Sequence, residues 1–121
     1  MHIYATINKK RGKTMPYLIT TSVYPAEIRT EVATRYLEAM DKFPPDESLT
    51  VPLVPAAVKA TLDGIKVIGI SEVKEGKLGE ALDRTAKMMV MFQTLPGYRY
   101  TVEVFYKVEE ALALIGMDPP A

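Results

Sequence analysis

The sequence predicts an α+β fold, one four-stranded antiparallel sheet carrying two helices. Three observations predict it. Residues 25–43 and about 77–95 place apolar side chains at helical spacing. Each of these stretches is flanked by segments rich in β-branched and aromatic residues. Between them, Asp63-Gly64 marks a tight hairpin, a turn of type I′ that needs positive φ at both positions.

The elements follow in order. Residues 17–24 (YLITTSVY) read as a strand. Pro25 suits the first turn of a helix, where its missing N–H is not needed. Ile28, Val32, Tyr36, Met40 and Phe43, with Leu37 beside them, then form one apolar stripe, and Pro44-Pro45 ends the helix. Residues 46–55 are expected as a loop or a bulged edge, because Pro52 and Pro55 exclude a long central strand. Residues 58–62 and 65–73 are the hairpin strands. Gly69 within the second signals a bulge or a close backbone approach. Leu78, Leu82, Thr85, Met89 and Phe92 make the second helical stripe, which Pro96-Gly97 terminates. Residues 98–107 alternate as a strand, and 109–115 make a short helix with Gly116 as its C-cap.

Three segments result: an amino-terminal extension at 1–14, one domain at 15–117 and a tail at 118–121. The extension turns basic after Asn8, with Lys9, Lys10, Arg11 and Lys13 around Gly12. It reads either as a solvated arm or as an added edge strand.

Composition excludes several chemistries. Lys+Arg and Asp+Glu are equal at 15 each, so the basic surplus of a nucleic-acid binder is missing and little charge opposes self-association. No cysteine is present, which excludes disulfides, thiolate nucleophiles and Cys-ligated metals. His2 is the only histidine and lies outside the expected core, so His-based acid–base catalysis and a His-rich metal site lack their parts. No apolar run reaches the roughly 18 residues of a membrane span. A cytoplasmic protein without metal, cofactor, nucleic-acid or membrane partner is expected.

The strand faces point to self-association. One side of residues 98–106 carries Tyr98, Tyr100, Val102, Val104 and Tyr106; the other carries Arg99, Thr101, Glu103 and Phe105. In the hairpin, Ile68 and Ile70 fall on the side away from the helices. Ile68, Ile70 and Phe105 therefore need cover, and a homodimer burying sheet against sheet supplies it. A higher homo-oligomer remains open. So does cover within one chain, by the extension or the last helix.

Element order, the Asp63-Gly64 hairpin and the two-sided strands over about residues 15–115 resemble the dimeric α+β-barrel group of ferredoxin-like proteins, a βαββαβ arrangement. The resemblance implies two sheets closing face to face. It also implies a choice among heme-degrading or antibiotic-synthesis monooxygenases, muconolactone isomerase-like enzymes, stress-induced dimers and non-catalytic members. Members that depend on a core histidine are not matched.

Candidate site residues come from what remains. Tyr36, Met89, Arg99 and Glu103 are the expected ligand contacts: an aromatic hydroxyl, an adaptable thioether, and a charge pair. Met88 and Met91 flank Met89, and each also serves as core. Arg35 and Arg84 are further candidates to hold an anion, and Glu72 shares the outer face with Glu103. Gly12-Lys13-Thr14 resembles the end of a phosphate loop, but the glycine required five residues earlier is Ile7. The expectation is a homodimer that binds a small apolar molecule or serves as an assembly module, without catalysis. The alternatives are a cofactor-free monooxygenase or isomerase acting on a small aromatic or polyketide-like substrate, or an interaction protein whose basic arm meets an acidic partner. No catalytic residue is assigned.

Overall fold

The structure is a computed structural model and describes residues 15–118. His2, the basic cluster at 9–13 and most of the tail lie outside the described residues. The order is β1 (Tyr17–Tyr24), a 3-10 turn (Ala26–Ile28), α1 (Arg29–Lys42), β2 (Thr50–Thr61), β3 (Gly64–Val73), α2 (Leu78–Val90), β4 (Arg99–Phe105) and α3 (Val108–Leu114). The four strands form one antiparallel sheet in the order β2-β3-β1-β4. This is an α+β fold with β1 and β3 central.

Strand alternation decides which residues meet the helices. Leu18 and Tyr24 of β1 are buried on that side, with Val73 of β3 fully enclosed. Two core clusters result. One joins Tyr24 to Val32 and Ala39 of α1, Met89 of α2, and Phe92 and Leu95 beyond it. The other joins Leu18, Leu49, Val73 and Ala81. Both long helices thus pack on one face. The outer face carries Tyr17, Ile19, Thr21 and Val23 of β1, aligned with Glu72, Ile70, Ile68 and Lys66 of β3 and with Phe105, Glu103, Thr101 and Arg99 of β4.

The structure refines or corrects three sequence expectations. Of residues 46–55, for which the sequence leaves a loop or a bulged edge, those from Thr50 onward take the edge and belong to a twelve-residue strand. The strand tolerates Pro52 and Pro55 because it is an edge, paired only to β3, and shifts register twice, between Pro52 and Val54 and between Val54 and Ala57. The bulges therefore lie in β2, the second of them opposite Gly69, and of the two readings of Gly69 the close approach is the one observed. The hairpin turn is not type I′, because Gly64 has φ +126° while Asp63 does not have positive φ. Its loop residues are Leu62 and Asp63, closed by Thr61, whose hydroxyl donates to the Gly64 carbonyl at 2.7 Å. A Cβ at Gly64 would sit 2.3 Å from the Tyr24 carbonyl oxygen, so the glycine answers to both its backbone angle and its neighbour. Finally, α2 ends at Val90 rather than near Leu95; turns between Met91 and Tyr98 carry Phe92 and Leu95 into the core.

Candidate functional site

A cavity of about 600 Å³ lies between the helices and the inner face of the sheet. Its origin is legible in residue size. The floor is built from Thr20 and Ser22 of β1 and Gly69 and Ser71 of β3, all small. Above them α1 presents Ala33 and Ala39. Small residues facing small residues leave space that packing cannot close. Gly69 is crowded on its inner side by the bulged strand, since a Cβ there would meet Thr20 Oγ1 at 3.0 Å and the Pro55 carbonyl at 3.3 Å. Glycine is what lets the floor remain flat at that point.

The walls are apolar. Tyr36 and Met40 of α1 and Thr85, Met88 and Met89 of α2 line the two sides, with Phe92 and Tyr98 at one end. Tyr36 and Leu37 are 42% and 68% exposed, although they belong to the apolar stripe of α1. They border the cavity and its opening rather than a filled core.

Polar groups are few and placed. The Tyr98 hydroxyl donates to Ser22 Oγ at 2.8 Å. Ser22 is itself buried, at 5% exposure. Burial pushes the Tyr98 phenol above its ordinary pKa, partly offset by the Ser22 bond, and burial also pushes Tyr24 up. Both phenols therefore stay neutral donors at physiological pH. Tyr98 stacks between Tyr24 and Phe92, with ring centroids 5.7 and 5.0 Å away. At the mouth, Arg84 donates to the Pro44 carbonyl and lies 5.6 Å from the Phe43 ring centroid. Asp46 sits beside it, held below its ordinary pKa first by the Ser48 hydroxyl and amide bonds and then by the charges of Arg84 and Lys74. Among the described residues no three His, Asp or Glu side chains gather as a metal site, and no helix is long and apolar enough to cross a membrane.

The four expected ligand residues are divided by the sheet. Tyr36 and Met89 line the cavity. Arg99 and Glu103 lie on the outer face, in register with Val23 and Ile19. Arg35 is engaged elsewhere: it donates to the Met91 carbonyl and to Thr94 Oγ1 and sits 3.6 Å from Glu38. Glu72 pairs with Lys107, which also lies over the Tyr17 ring. The hydroxyls of Thr20 and Ser22 escaped the sequence reading. Their signal is the inward face of β1, Leu18-x-Thr20-x-Ser22-x-Tyr24, which turns polar at its middle. Compared with known protein families, curated proteins and solved structures, the chain matches none.

Proposed function

We propose that this chain is a cytoplasmic, ferredoxin-like homodimer that holds a small, mainly apolar molecule between its helices and sheet, without catalysing a reaction. Element order and the central placing of β1 and β3 are compatible with the ferredoxin-like arrangement. The observation that carries the binding reading is the cavity itself. About 600 Å³ is within the usual range for small ligands, and apolar walls with a few polar groups are the usual lining. The ligand's apolar body meets Tyr36, Met88 and Met89. Ser22, whose oxygen already accepts from Tyr98, retains a hydroxyl hydrogen for a ligand acceptor.

The second reading, a cofactor-free monooxygenase or isomerase, rests on the Ser22–Tyr98 hydroxyl pair beside the ligand space. Turnover abolished in Tyr98→Phe with ligand binding retained establishes that reading instead.

Native mass spectrometry of freshly purified protein, followed by titration with 2-naphthol, tests the cavity. The wild-type chain is expected to bind. Thr85→Trp, which fills the space from α2, is expected to weaken binding at least tenfold while leaving the far-ultraviolet circular dichroism unchanged. Equal binding by the variant refutes the site.

A further inference from the structure

We infer that two copies pair outer face to outer face about a two-fold axis running across the strands, so that Lys66 and Arg99 of each copy meet Glu72 and Glu103 of the other. This rests on the homodimer reading above and adds an orientation to it. The strand registers supply the argument.

Lys59, Lys66, Val23 and Arg99 form one row across the sheet. Lys59 and Lys66 stand directly opposite each other, an arrangement that destabilises a sheet when the charges are alike. None of the three cations has an ion pair among the described residues. The next row holds Ala57, Ile68, Thr21 and Thr101. The one after holds Val54, Ile70, Ile19 and Glu103. The last holds Val51, Glu72, Tyr17 and Phe105. Phe105 is 47% exposed. The face is thus cationic at one end and apolar in the middle, and toward the other end it carries Glu103 and Glu72, the latter already paired within the chain to Lys107.

Two simple two-fold axes can stack this face on itself. An axis along the strands sets each end on its own kind, cations on cations. An axis across the strands turns each copy end for end and keeps β3 over β3 and β4 over β4. Placed between Ile68 and Ile70, it lays each Ile68 on the other copy's Ile70. The same operation sets Lys66 over the other copy's Glu72, since these residues lie symmetrically about that point in β3. Arg99 falls over the other copy's Phe105 row, one full row or roughly 7 Å along the strands from its Glu103, a gap that the two long side chains leaning toward each other span. The patch is only about 20 Å on a side, given the usual strand and residue spacings. That is small against the roughly 800 Å² per partner of a stable interface. Charge register therefore decides the orientation that area alone leaves open.

Sedimentation velocity of the full chain at micromolar concentration tests this. A dimer is expected, weakened by high salt. Lys66→Glu and Glu72→Lys are each expected to raise the dimer dissociation constant roughly tenfold or more. Mixing the two variants restores the dimer, because each chain supplies the charge the other lacks. Arg99→Glu with Glu103→Arg repeats the test on β4, should loss of the Lys107 pair disturb folding of Glu72→Lys; circular dichroism checks the fold of every variant. A wild-type dimer indifferent to all four changes and to mixing overturns the orientation and leaves the homodimer standing. A wild-type monomer overturns both. A monomer that dimerises only when residues 1–14 are removed overturns both as well and assigns the face to the chain's own amino-terminal segment.

Discussion

Tyr98 and Ser22 offer the sharpest test of the cavity, because their hydrogen bond lies on its floor. Ser22→Ala leaves the Tyr98 hydroxyl without its acceptor. Tyr98→Phe leaves Ser22 Oγ, only 5% exposed, without its donor. An unpaired buried polar group costs about 1–3 kcal/mol. Removing both hydroxyls together orphans neither. The double variant is therefore expected to lose clearly less than the sum of the single changes, with a coupling of about 1 kcal/mol. For a chain of this size 1 kcal/mol moves the melting temperature by about 4 °C. Urea melts of the four proteins at equal concentration read the cycle. Additivity within about 0.3 kcal/mol refutes the reasoning. It would mean that solvent in the cavity satisfies each hydroxyl alone, so that the floor is wet and not a dry apolar pocket. The pH dependence supplies a second arm. Tyr98 has a folded pKa above its ordinary 10.0. The folded chain therefore binds that proton more tightly than the unfolded chain does. Its contribution is complete below about pH 10 and is lost as pH rises through the folded value. Tyr98→Phe removes this part of the alkaline loss. The part from Tyr24, shifted in the same direction, stays.

Three further outcomes are expected. Gly64→Ala destabilises by about 2 kcal/mol or more, since its Cβ meets backbone at 2.3 Å and its φ is +126°; a chemical denaturation midpoint equal to wild type refutes this. Phe92→Ala costs about 3–5 kcal/mol, because the ring is 4% exposed and stacked on Tyr98, and a thermal melt shifted by only a degree or two contradicts it. Asp46→Ala flattens the acid limb of stability: its lowered carboxyl contributes above the ordinary value of 3.8 and loses that contribution as pH falls through the folded value, so identical acid limbs in the two proteins count against the Ser48 bonds.

Much of the fold was legible, and the misses share a physical cause. β1 and both helical stripes follow from periodicity, which burial on one face imposes. β2 followed only in part: Pro52 and Pro55 exclude a central strand and leave a loop or a bulged edge, and sequence alone does not choose the edge, where half the backbone groups stay unpaired. The hairpin position was legible from Asp63-Gly64, but the turn type was not: only Gly64 takes positive φ, and its place against the Tyr24 carbonyl, forty residues earlier in the chain, leaves no room for a Cβ. The site was legible only in part. Tyr36 and Met89, chosen because an aromatic and a methionine on apolar stripes invite a ligand, line the cavity. Arg99 and Glu103 were assigned to the same site because alternation shows that two residues share a face, not which face is hollow. A cavity is the difference between facing volumes, and facing residues are far apart in sequence: Ala33 from Gly69, Ala39 from Ser71.

The two faces of the sheet are apolar for different reasons, and this separates their roles. Toward the helices, small residues leave a hollow that one small chain does not fill. Away from them, Ile19, Ile68 and Ile70 make a flat strip that the described residues leave partly exposed. Either exposure weakens a domain whose total stability is ordinarily only about 5–15 kcal/mol. In the proposed function, a ligand offsets the first and a second copy the second. Four strands stand between them, so neither occupant touches the other. At a hundred times its dissociation constant a ligand adds about 2.7 kcal/mol to the folded state. That increment reaches the proposed dimer interface only if the sheet itself changes shape. The bulged, singly paired β2 is where it can do so: Val58 lines the cavity while its neighbour Lys59 stands opposite Lys66 on the outer face. That edge, whose ladder shifts register beside Pro52 and Pro55, is therefore the place to test for coupling between ligand binding and pairing.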